Sequence, residues 1–500
     1  MSATAMTDPA PTYGGWRRSR GLEVYGQGST SLTVIGLAIT ITLAAGLFAG
    51  PAKAGLTVLA LIPVVATAVA TRHGEPLLRV VARRVRFAHA TARGWTLYRS
   101  EAVEDLRLPG PLAATRLVGA TSATGGRFGI VRDENTGLMT PTLRCASTST
   151  ALVDLGYLPS VSWVNVTVDT APEPGTTLAD YVDARIDQGA PEDARDLLLE
   201  LVRCSPGAAA DVDTRVSVTF DPAAAQAANP ARAAVAGRWL MAQFGVKRGT
   251  GWTPDLTAQI ADVDRTLTGM ESALGSCGVS VLGRATAADL AGIVRTAYDP
   301  TSRGEVARVI DAAHPDDRLT WDDAGPVGAD ERWDRYHHDS GWSVTYAWVA
   351  PPGQVVHSSV LTRLVVPGKF PKRVAMLYRA RTAEDAAAVL EQQVNLAAFR
   401  DAHRRATGRE ETARDRQDKS AASQAAAEEA RGAGVVLMTM YVTVTVTDEG
   451  DLPAAMAEVE ARARHSKIRL RVMRGSQAAG FTATLPAGVH PQHLAARGRA

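Results

Sequence analysis

The chain has 500 residues, 54 Lys/Arg against 52 Asp/Glu, and three cysteines. Charge is unevenly spread: residues 1–100 carry 11 Lys/Arg and 3 Asp/Glu, and the other 400 carry 43 and 49. So mildly acidic a body gives no electrostatic case for direct nucleic-acid binding, and the widely spaced, odd set Cys145, Cys204 and Cys277 speaks against a disulfide framework.

Residues 1–31 read as a cytoplasmic tail. Two uncharged apolar stretches, 32–50 and 54–70, are joined by Pro51, Ala52 and Lys53. Each is close to the ~20 residues that cross a bilayer as helix, which predicts a transmembrane hairpin over 32–71. Trp16, Arg17, Arg18 and Arg20 flank it on one side, and Arg72, Arg79, Arg83, Arg84 and Arg86 on the other. By the positive-inside rule both termini are expected in the cytoplasm, on an inner membrane. A twin-arginine export signal with cleavage near Ala54 competes, but its apolar core is long and a second span follows at once.

Arginines interleaved with Leu77, Leu78, Val81 and Val85 predict a basic helix within 72–105 that suits anionic lipid headgroups. Strands over 127–132 and 138–145, around a turn at 133–137, make 106–150 a small β module. Beyond it the pattern is mixed α and β. Strands at 161–168 and 215–220 bracket a helix at 191–203. Helices follow at 229–244 and 255–274, then a strand at 279–282 and a helix at 286–298 with Thr286 as N-cap. These form a first α+β half, 151–315.

Within 316–400 an aromatic and acidic cluster precedes strands at 342–349, 355–366 and 373–378, expected as a meander, and a helix from 382. Residues 401–432 are dense in Arg, Glu, Asp, Gln and Ala, which predicts a long charged helix. Strand 435–446, helix 452–465, strand 468–473 and helix 476–484 make a second half, 433–486, before a tail at 487–500. The fold class is therefore α+β: a membrane hairpin, a small β module and two halves of ferredoxin-like type.

Familiar chemistry is absent. Only Lys369 among the lysines follows a glycine, and Phe370 succeeds it, so no P-loop is formed. No zinc, dinucleotide or nucleophile-elbow fingerprint occurs, and no cofactor is expected. The best candidate is the cluster holding Trp321, Asp322, Gly325, Pro326, Trp333, Tyr336, His338 and Asp339. A metal site lacks ligand spacing, and adjacent Ser340, Asp339 and His338 cannot form a triad. Two readings stay open: a packed junction whose aromatics fill a core, or an exposed docking patch.

Several strings carry a resemblance: Tyr13-Gly14-Gly15-Trp16-Arg17 before the apolar pair, Trp321-Asp322-Asp323-Ala324-Gly325-Pro326-Val327, Leu361-Thr362-Arg363-Leu364 and Glu428-Glu429-Ala430-Arg431-Gly432-Ala433-Gly434. Together they resemble an actinobacterial family of integral membrane proteins of conjugative type IV secretion systems, with a PrgI-like and VirB-like membrane hairpin. The stretch Gly475-Ser476-Gln477-Ala478-Ala479-Gly480-Phe481 to Leu485-Pro486 is similar to the end of the N-terminal, non-motor domain of conjugation ATPases. A helix that the family carries after Leu152-Val153-Asp154 is shortened or absent here. The resemblance implies a non-catalytic inner-membrane scaffold that docks a separate motor ATPase or coupling protein, with other membrane subunits and the bilayer as partners. The alternatives are a type VII secretion membrane component, a membrane-anchored enzyme using 321–339, and a small-ligand sensor.

Overall fold

The computed structural model describes residues 12–13, 29–72, 75–100, 108–146, 160–172, 186–187, 189–204, 210–227, 256–310, 319–350, 356–380, scattered positions from 386 to 427, and 435–497. The expected helix at 229–244 and the flank Trp16, Arg17, Arg18 and Arg20 lie outside the described residues. Most of the expected charged helix 401–432 does too, though its described positions are helical. The chain divides into two units, one of residues 17–97 and 392–421, the other of 1–16, 98–391 and 422–500.

In the smaller unit, α1 (Ser29–Ala49) and α2 (Pro51–Val69) meet at Gly50, whose φ of 88° makes the sharp turn, and Pro51 opens α2. Arg79, Arg83, Arg84 and Arg86 lie on α3 (Leu77–Ala92), and Arg72 in a two-residue strand, Thr71–Arg72. The expected two-pass, inner-membrane location is corrected here: among the described residues no helix is long and apolar enough to cross a membrane.

The larger unit is built on one 13-stranded antiparallel sheet. Its first half contains β2 (Thr115–Thr121), β3 (Arg127–Asp133), β4 (Met139–Cys145), β5 (Val161–Pro172), β6 (Ala210–Phe220), helix α5 (Leu256–Ser276), β7 (Val281–Arg284) and α6 (Ala287–Tyr298). Between β5 and β6 lies α4 (Glu192–Cys204), and β1 (Leu97–Arg99) precedes the set. After α7 (Arg303–Ile310) the second half contains β8 (Gly328–Glu331), β9 (Tyr336–His338), β10 (Gly341–Ala350), β11 (Lys372–Ala380), β12 (Val436–Val446), α8 (Leu452–His465), β13 (Arg469–Val472) and α9 (Gln477–Ala483). Helix α10 (Pro491–Arg497) follows.

The two halves repeat one pairing scheme. In the first, β7 pairs with β4, β4 with β6 and β6 with β5; in the second, β13 pairs with β10, β10 with β12 and β12 with β11. A hairpin extends each half, β2–β3 in one and β8–β9 in the other, and β3 and β9 join β4 and β10. The halves meet where β5 pairs antiparallel with β11, from Lys372 opposite Thr170 to Tyr378 opposite Val164.

Three expectations change. The β module at 106–150 is not separate, because β4 pairs along its length with β6. The meander is replaced by an inserted strand, since β12 lies between β10 and β11. The expected strand 355–366 is strand only at Val356–His357; a 3-10 turn and a short helix, Thr362–Val365, follow. Its apolar run is used instead to bury Leu364 in the second-half core.

Period-two alternation gives the sheet two unlike faces. Val164, Val166, Val216 and Val218 in the first half, with Val344, Val374, Val442 and Val444 in the second, form one face, packed with side chains of α5 (Val263, Leu267) and α8 (Ala455, Val459). The opposite face of the same strands is polar, and it is buried: Thr167, Ser217, Ser343 and Thr345 have no exposed surface. Cross-strand hydroxyl pairs satisfy much of it, Thr140 with Thr219 and Thr142 with Ser217 in one half, Ser343 with Thr445 and Thr345 with Thr443 in the other. Chain segment 483–490 runs across this face. The Ala483 carbonyl accepts from Asn165, and a Cβ on Gly488 would fall 2.1 Å from Thr140 Oγ1.

Candidate functional site

The aromatic and acidic cluster divides into a buried knot and the wall of an open cleft. In the knot, Trp321 is buried and its indole N–H donates to the Thr115 carbonyl at 3.1 Å. Tyr336 and Phe481 pack edge to face at 5.4 Å, and Tyr298 lies 5.0 Å from Phe481. His338 has no exposed surface. Its Nδ1 stands 2.6 Å from the Tyr298 carbonyl, which can only accept, so the proton is on Nδ1 and Nε2 accepts from the Ser343 hydroxyl at 2.8 Å. Ser343 in turn is bonded to Thr445. Burial drives the His338 pKa down to about 3, which keeps the ring neutral.

The stretch 475–486 closes the same knot. Gly475, with φ 69°, donates its N–H to the half-buried Trp333's carbonyl at 2.7 Å. Gln477 is fully buried and reads the backbone of Thr345 with both ends of its amide. The N–H of Ala478, at the start of α9, is held by the Glu331 carboxylate at 3.1 Å, and burial raises the pKa of that carboxyl. Pro486 is buried and Ser476 is part-buried, its hydroxyl donating to the Gly475 carbonyl.

Outside the knot, the last turn of α6, the helix α7 and the loop 319–327 enclose a cleft of about 460 Å³. Val306, Val309 and Leu319 form its apolar floor, with Tyr98 and Pro326 beside them. Asp299, Glu305, Asp322 and Asp323 line it with four carboxylates, and Arg295 is the one cation among the described lining residues. That guanidinium is held on three sides: by the Gly325 carbonyl at 2.8 Å, by Asp339 at 3.1 Å and by Asp299 at 2.9 Å. Asp339 sits at φ 36°, a conformation Asp tolerates better than most residues, and its carboxylate also accepts from the N–H groups of Val327 and Gly328. Burial pushes the Asp299 carboxyl up, but hydrogen bonds from Ser340 and Thr301 together with Arg295 outweigh it and hold the pKa below the usual range.

Of the residues singled out from sequence, Trp321, Tyr336, His338, Gln477 and Phe481 therefore build the core, while Asp322, Gly325 and Pro326 line the cleft. Asp339 ties the two together. Arg295, Asp299 and Glu305 were missed; the spacing of Arg295 and Asp299 at i and i+4 was the one available signal. The chain matches no family model and no curated protein.

Proposed function

We propose that the chain is a non-catalytic docking platform of a type IV secretion apparatus, which seats a separate motor ATPase or coupling protein. One observation carries this reading: His338 and Ser343 are committed to structural bonds inside the core, while Glu305, Asp322 and Asp323 of the cleft are exposed to solvent. The Ser343–His338 pair has the spacing of a nucleophile and base, yet both side chains are fully buried and a substrate has no route to them. That observation also weighs against an enzyme built on 321–339. Each half is read as a ferredoxin-like unit. The strand orders β7-β4-β6-β5 and β13-β10-β12-β11 support it, with the motif's first helix reduced to Thr362–Val365 in the second half.

The test is co-purification of the full chain with the secretion ATPase encoded in the same cells. Recovery of a stoichiometric complex is expected. Failure to recover any secretion subunit after chemical cross-linking overturns the platform reading.

A further inference from the structure

The cleft carries more than its volume. A space of about 460 Å³ lies within the ~300–1,000 Å³ range of ligand-sized sites. Its floor of Val306 and Leu319 is apolar and its lip carries Val327, which is 69% exposed. Arg295 is already held by Asp299, Asp339 and the Gly325 carbonyl, so among the described residues the rest of the rim is left unneutralised. Asp323 is occupied by Thr320, whereas Glu305 and Asp322 have no hydrogen-bonded or ion-paired partner among the described residues.

The arrangement also selects the kind of cation. Among the described residues no group of three His, Cys, Asp or Glu side chains is placed to hold a metal ion. Carboxylates distributed around an apolar floor suit a charge carried on an aliphatic stem, whose methylenes cover the floor while the head meets the rim. A free small cation would gain nothing from Val306 and Leu319.

We infer that this cleft receives an amphipathic protein segment bearing arginine or lysine next to leucine-like side chains, with Glu305 and Asp322 as the recognition charges. The inference rests on the docking-platform reading and names the chemistry of the partner surface. Charge complementarity of this type acts through long-range attraction and register, and it weakens as salt rises.

The experiment uses the full chain and a fluorescein-labelled 12-residue peptide with leucine and arginine on one helical face; the same peptide with glutamate for arginine is the control. The arginine peptide is expected to bind and the glutamate peptide not. The double variant Glu305→Gln/Asp322→Asn should weaken binding about tenfold with an unchanged melting temperature. Val327→Arg, at the exposed lip, should weaken it independently. Equal binding of both peptides, or full affinity in the double variant and in Val327→Arg, overturns the inference. If the secretion ATPase still co-purifies with the double variant as well as with the parent, the platform reading stands and the cleft assignment falls. If the peptide binds as expected but no secretion subunit co-purifies, the cleft stands and the platform reading falls.

Discussion

The two halves of the sheet share a backbone plan and solve its polar problems differently. At matched positions the N–H of Ala285 donates to the Thr142 carbonyl and that of Met473 to the Thr345 carbonyl, which aligns Arg284 of the first half with Val472 of the second. Arg284 pairs with Glu271 at 2.7 Å and with Asp264, and Asp264 also accepts from Ser122 and Ala123. Val472 joins an apolar cluster. The helix starts differ too. Helix α6 has its own capping box, Thr286 with Asp289, whereas the first turn of α9 is held by Glu331 from strand β8. A fold can thus be repeated without repeating its interactions, with the buried charges and helix starts of each half partnered in different ways.

The sharpest way to break this comparison is to impose the second half's solution on the first. Arg284→Val should cost about 3 kcal/mol, because Asp264 and Glu271 lose their cation in a largely buried place. Adding Asp264→Leu and Glu271→Leu should recover most of that loss in urea unfolding. A triple variant as unstable as the single one would show that the halves are not interchangeable at this position.

Two glycines test packing under the paired helices. A Cβ on Gly129 would lie 2.9 Å from backbone atoms of Ala287 in α6, and one on Gly480 would lie 2.6 Å from Met473 Sδ and 2.7 Å from Thr345 Cγ2. A helix backbone cannot step aside, whereas a methionine side chain can. Gly129→Ala should therefore cost about 3 kcal/mol and Gly480→Ala about 1 kcal/mol, measured from denaturation midpoints. The reverse order would mean that the second half is the stiffer one.

Acid sharpens the contrast between ionic and neutral interiors. His338 and His490 are held below their ordinary pKa by burial, at about 3 and about 4. Their unfolded forms take up protons near pH 6.5, so between that pH and their folded values the unfolded state binds more protons and stability falls as pH falls. From pH 7 to pH 5 each should remove about 2 kcal/mol. In His338→Gln the remaining slope should shrink by about half, followed by urea titration at each pH.

The smallest effect is a control. Thr142→Val and Thr345→Val each remove one member of a matched hydroxyl pair and should cost about 1 kcal/mol apiece, with near-equal values if the pairs are equivalent.

What the sequence made legible follows the range of the forces involved. The N-cap at Thr286 and the helix Leu452–His465 are local, written within a few residues, and were read from sequence pattern alone. Glu331 caps a helix 147 residues away and Trp321 bonds to Thr115 across 206 residues, so neither role is visible in a window of sequence. The insertion of β12 between β10 and β11 is likewise a tertiary choice among strands of similar alternation. The apolar runs near the start led to the expectation the structure corrects: among the described residues no helix is long and apolar enough to cross a membrane. In the 321–339 cluster the sequence held both a packed junction and a docking surface open; the structure divides the residues between a core and a cleft wall.

The most direct test of the docking account is photo-cross-linking in living cells, with a photoreactive amino acid at Val327 on the cleft lip and, for comparison, at Val212 on β6, which is 48% exposed in the other half. A cross-link to a secretion ATPase or coupling protein at Val327 and none at Val212 is the expected result. Equal capture at both positions, or no secretion subunit at Val327, would contradict it.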